Sequence, residues 1–279
     1  MAEAMQLAQH LTQSFPGSPQ AHSLAGRISY AFGDVARANA CWEQALKLNP
    51  EYSEACTAIG EAAWEHGNFE RSVRHLRKAL ALNPRLEQKK VFFLADSLMN
   101  LGEPAEAAAV LETAARDKPL EPFGVFLLAH AYLQAKQYEK AKEQFEAGLA
   151  LDPQSANVHF GLATVYARLG DAEKARLHRE QYTKLRKEEL SLSAQMRAQM
   201  RQKDWADPRP VARECYLNAG RICATHGLPE EAEKHWLRAA VIDPESPEPR
   251  KLLEALYWQQ GRREEAIRLS RGGPLPVGN

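Results

Sequence analysis

The chain has 279 residues, with 36 Lys and Arg balanced by 36 Asp and Glu and a pI near 7.1. A chain without a net basic field is a poor fit for nucleic acid or an anionic membrane, both of which draw on a positive surface. No apolar run reaches the roughly 20 residues that span a bilayer, and four cysteines show neither C-x-x-C nor metal-ligand spacing.

Residues 2–15 open the chain as a helix, with Ala4, Leu7, Ala8, Leu11 and Phe15 at helical spacing and Pro16 to end it. The segment has no basic stretch leading into an apolar one, so it does not read as a signal peptide. The expectation is a cytoplasmic protein, or a periplasmic or secreted one if a leader was removed. Cys215 and Cys223 lie too far apart along one helix to bridge, so the cysteines are expected as buried free thiols.

From there the chain repeats itself. Ala45–Pro50 reads A-L-K-L-N-P, Ala79–Pro84 A-L-A-L-N-P, Gly148–Pro153 G-L-A-L-D-P and Ala239–Pro244 A-A-V-I-D-P. Proline cannot continue a helix, so each copy marks a helix end. Placing each proline at position 32 of a 34-residue frame gives copies at 19–52, 53–86, 88–121, 122–155, 156–189 and 213–246, with a shortened one from 247. Position 8, where two helices approach most closely, holds Gly26, Gly60, Ala95, Ala129, Ala163 and Gly220. Position 15 holds Gly33, Gly67, Gly102, Gly170, Gly227 and Gly261, where a first helix must stop. Position 24 is large in most copies: Trp42, Leu76, Leu111, Phe145 and Trp236.

The fifth copy departs after Tyr182. No Asn-Pro or Asp-Pro falls near 187, and helical composition runs to about Lys203, where Asp204–Pro210 stops it. Tyr182, Leu185, Leu192 and Met196 keep a weak seven-residue stripe. One continuous helix and a two-helix elbow both fit, either as a spacer or as a homodimer seam over 185–203.

Taken together, this pattern resembles the tetratricopeptide repeat, W-x2-L-G-x2-Y…A-x3-F…P, over most of residues 19–271. The resemblance implies an all-α, right-handed superhelical solenoid of antiparallel helix pairs, A and B. The expected organisation is a capping or half-repeat helix over 1–18, five repeats over 19–189, a helical extension and linker over 190–212, a sixth repeat and truncated seventh over 213–271, and a disordered tail over 272–279. The resemblance also implies that helix A positions 2, 5, 9, 12 and 13 face a concave groove. Position 5 then supplies Phe92, Phe126 and Phe160, and position 9 Asp96, His130 and Thr164. Trp64 and Glu61 flank them on one side with Arg27, and Arg221 on the other.

A row of phenylalanines on such a wall suits an extended or helical segment of another protein. The resulting expectation is a protein-interaction scaffold or assembly adaptor. The alternatives are a structural spacer of a larger protein, or a ligand-binding or regulatory domain in an enzyme complex. No H-E-x-x-H, P-loop, G-x-G-x-x-G or G-x-S-x-G is present, so no enzyme activity, cofactor or metal is expected.

Overall fold

A computed structural model of the chain describes residues 2–200 and 209–275. Among these residues all regular structure is helical, and the fold is a repeat solenoid of paired antiparallel helices. The helices are α1 (Ala2–Ser14), α2 (Pro19–Ala31), α3 (Val35–Leu48), α4 (Ser53–Glu65), α5 (Phe69–Leu82), α6 (Gln88–Asn100), α7 (Pro104–Asp117) and α8 (Pro122–Gln134). They continue as α9 (Tyr138–Leu151), α10 (Ala156–Leu169), α11 (Ala172–Met200), α12 (Arg209–Thr225), α13 (Pro229–Ile242), α14 (Pro247–Gln259) and α15 (Arg263–Ser270).

The turns follow from local chemistry. Gly33, Gly67 and Gly170 take φ of +83°, +71° and +85°, which only glycine adopts without strain. The next residue then caps helix B: the side chains of Asp34, Asn68 and Asp171 accept from the N–H groups of Arg37, Arg71 and Lys174. Where the glycine is missing, at 135–138, Lys136 takes the left-handed conformation itself, with φ of 60°.

The helices fall into two compact units, with the boundary inside α4 after Ala55. One unit runs from Cys56 through α11; the other joins α1–α3 to the helices from α12 onward. The sequence alone gives α1 no partner from a preceding helix A. In the structure, Leu7 and Leu11 of α1 and Leu24 and Ile28 of α2 share a core with Cys215, Ala219 and Ile222 of α12. Phe15, just past α1, meets His226 with ring centroids 4.6 Å apart.

Three further expectations change. The helix after Ala172 is continuous through Met200, so the elbow alternative is dropped for the described residues. Tyr182, the first residue of the seven-residue stripe, packs its ring 5.2 Å from Phe160 of α10 and so adds an intrachain contact to that stripe; the side chains of Leu192 and Met196, and residues 201–203, lie outside the described residues. Part of the tail expected to be disordered is ordered: Gly273 O accepts from Arg250 at 2.9 Å and Leu275 packs against the α12–α15 core, while 276–279 lie outside the described residues.

A recurring link joins successive repeats. Tyr132, Tyr166 and Tyr257 each donate a phenolic hydrogen bond to a helix-B glutamate of the preceding repeat, Glu112, Glu146 and Glu233. Lys140, Lys174 and Arg262 lie over the same three rings. Burial and the glutamate partner push the Tyr166 phenol up to about 12, so the hydroxyl stays a donor across the physiological range.

Candidate functional site

The A helices of the unit that begins at Cys56, termed the second unit, are α4, α6, α8 and α10, and they carry several aromatic and charged side chains. At one end Trp64 stacks on Phe93, centroids 4.3 Å apart, and its indole N–H donates to Asp96 Oδ2 at 2.6 Å. Lys89 and Lys90 sit 5.8 and 5.9 Å from the centre of the Phe93 ring, and Lys90 is ion-paired with Glu61. Asp96 of α6 therefore anchors the Trp64 indole of α4.

The middle is built on α8. Phe123 stacks on Phe126 at 6.3 Å, and Phe126 stacks on His130 at 5.9 Å, with Gln134 Nε2 3.4 Å from His130 Nδ1. Burial holds the His130 imidazole below its ordinary value, with Asp96 pulling the other way, so the ring is neutral at pH 7. At the far end Phe160 is 55 % exposed and Thr164 turns its hydroxyl back to Phe160 O at 2.9 Å.

Phe92 is the correction. It is 3 % exposed and belongs to the core: its ring fills the space over Gly124, where an added Cβ would lie 2.6 Å from it. Phe123, at position 2 of the next copy, is 58 % exposed and takes the outward place beside Phe126. Phe123 and the neighbouring Phe93 are the residues that the repeat frame passed over; position 2 was among the groove positions and held the clue. Arg27 and Arg221 lie in the other unit, where Arg221 pairs with Glu248 at 2.5 Å.

At the root of α11 lies a histidine pair. His159 Nδ1 and His178 Nδ1 are 3.0 Å apart, and His159 Nε2 is 3.2 Å from Pro153 O. A carbonyl only accepts, so His159 carries its proton on Nε2 and His178 donates across the pair. The His178 ring also lies parallel to Tyr166 at 5.6 Å. Burial and the facing His159 hold His178 below the ordinary 6.5, with Lys174 adding to this and Glu146 opposing it. An imidazole depressed in the folded state binds more protons when unfolded, so stability is full above pH 6.5 and falls as pH drops through 6.5 toward the lower folded value. Thermal melts are expected to show Tm falling below pH 6.5, with a shallower fall for His178→Gln; parallel profiles for the two proteins would contradict the assignment.

Among the described residues no group of three His, Cys, Asp or Glu side chains is placed to hold a metal ion, and no helix is long and apolar enough to cross a membrane.

Family models described as tetratricopeptide repeat or TPR repeat match residues 23–87, 91–113 and 129–170. Among curated proteins, anaphase-promoting complex subunit 3 of Schizosaccharomyces pombe is 25 % identical over 203 residues, covering 72 % of this chain and 30 % of that protein. The chain spans less than half the length of each curated relative it matches. Among solved structures, YrrB, a TPR protein with an unusual peptide-binding site, superposes with a TM-score of 0.59 at 19 % identity, covering 68 % of this chain and 99 % of its own. MamA from Desulfovibrio magneticus gives a TM-score of 0.56 at 21 % identity, covering 61 % and 96 %. These likenesses establish the fold.

Proposed function

Starting from a chain that belongs to the tetratricopeptide-repeat family, we propose that it is a non-enzymatic interaction scaffold. In this reading its second unit takes an extended or helical segment of a partner protein along α4, α6, α8 and α10. The observation that carries this reading is the exposure of Phe123 and Phe160, at 58 % and 55 %, on successive A helices, with Phe126 and His130 stacked beside Phe123. Large apolar rings left in water on one face of a folded chain mark a surface that is covered in use. The general role of the family in protein–protein interaction supports it, as does the peptide-binding site for which YrrB is known.

The chemistry of the wall describes the partner. Apolar side chains would lie against Phe123, Phe126 and Phe160. Lys89 has no ion pair among the described residues and would meet a carboxylate, whereas Lys90 is already taken by Glu61. Double substitution Phe123→Ser/Phe160→Ser removes two exposed rings without opening the core. Proteins captured from the native host by the wild type are expected to be lost, or weakened at least about tenfold, as befits two central aromatic contacts. The exposed Leu151→Ser on α9 serves as control. Retention of every captured protein by a double variant with unchanged circular dichroism would reject the groove.

A further inference from the structure

Past Ala175, α11 leans on its neighbours through one narrow stripe. Over 176–190 no side chain is fully buried, and only His178, Tyr182 and Leu185 are half-buried, at a spacing that sets all three on one face of the helix. Two of them meet consecutive residues of α10. His178 bonds His159, Nδ1 to Nδ1 at 3.0 Å, and Tyr182 packs its ring 5.2 Å from Phe160. A helical stretch with so little burial opens at a fraction of the cost of unfolding the chain, so its hold depends on the histidine bridge.

That bridge can take up one proton and keep its shape, but not two. His159 is 7 % exposed and gives its Nε2 proton to Pro153 O, so its Nδ1 is the acceptor and His178 Nδ1 the donor. A first added proton enters at His178 Nε2 and leaves this donor in place. Its charge lies against the Tyr166 ring, parallel to the imidazole at 5.6 Å. Glu146 of α9, which accepts from the Tyr166 hydroxyl, attracts that charge, and Lys174 of α11 opposes it. A second proton can enter only at His159 Nδ1. Two N–H groups and two positive charges would then face each other across 3.0 Å, beside a buried ring. The side that yields is the loosely held one, α11.

We infer that the His159–His178 bridge is an acid-operated latch on the far end of the phenylalanine wall. It is closed at neutral pH, where Tyr182 backs Phe160. As pH falls and both imidazoles become charged, α11 beyond Ala175 comes away from α10 and Tyr182 leaves Phe160. The wall is then complete at its α10 end only while the pair holds fewer than two extra protons. Its effect on a bound partner rests on the groove reading above, whereas the latch itself does not.

Fluorine NMR of the full chain labelled with 3-fluorotyrosine tests this, the Tyr182 resonance being assigned by its loss in Tyr182→Phe. Between pH 7 and about pH 4.5, where imidazoles take up protons, the wild-type Tyr182 resonance is expected to move to the position of free 3-fluorotyrosine. In His178→Gln it should keep its pH 7 position, because an amide donates to neutral His159 and, turned over, accepts from the charged ring. Circular dichroism over the same range should show no cooperative loss of helix. A wild-type resonance that does not move, equal movement in the two proteins, or unfolding of the whole chain in step with it would each overturn the proposal. No partner enters the measurement, so a failed latch and a failed groove are told apart.

Discussion

Phe145→Ala is expected to cost about 3–5 kcal/mol of stability, the range for removing a fully buried aromatic ring. The side chain has no exposed surface and joins the core that runs from Val73 to Ala175. Its ring lies directly over Gly161 of α10, where a Cβ would come within 2.4 Å of it. Gly161→Ala alone should therefore also destabilise, by about 1–3 kcal/mol, because the ring must leave its rotamer or the helices must part. The double variant Phe145→Ala/Gly161→Ala should lose less than the sum, since the new methyl enters the space the ring vacates. Urea denaturation of the three variants measures this. Strict additivity, or a loss below 1 kcal/mol for Phe145→Ala, would contradict the packing.

The second large effect lies in the other unit. Trp236 is 5 % exposed, crosses Gly220 at a distance that leaves 2.3 Å for a Cβ, and donates its indole N–H to Leu217 O at 3.1 Å. Trp236→Ala is expected to cost about 3–5 kcal/mol, and Trp236→Phe about 1 kcal/mol for the lost hydrogen bond together with a smaller packing loss. The consequence reaches far along the chain. Trp236 fixes α12, and α12 supplies Cys215, Ala219 and Ile222 to the core that holds α1 and α2. Amide hydrogen exchange in Ala2–Ser14 should accelerate in Trp236→Ala, although those residues are more than two hundred positions away. Unaltered protection of α1 would mean that the helix does not depend on α12.

The repeat was legible because its determinants are local. A glycine at positive φ, a capping Asp or Asn and a proline after the stripe each act within a few residues, and they recur at one period. Helices A and B could therefore be placed from sequence without any knowledge of their neighbours. Which face of helix A a residue occupies was legible only in part. Position 5 holds Phe in three successive copies, yet Phe92 turns inward because Gly124 of α8 leaves room for its ring, whereas Phe160 is 55 % exposed. Direction is decided by the size of a residue more than thirty positions distant. The association of α1 with α12 was hidden for a related reason: apolar positions on both helices announce burial but not the partner. The length of α11 was readable as the missing proline near 187, since nothing there forces the helix to stop.

The wall of exposed and half-buried rings on α4, α6, α8 and α10 is where the functional account is most directly open to test. A photoreactive benzoylphenylalanine placed at Phe123, at Phe160 and, as a control, at Leu151 reports contact at each site when irradiated in the native host. The account predicts covalent capture of the same partner from positions 123 and 160 and none from 151. Capture from 151 alone, or equal yields from all three positions, would contradict it.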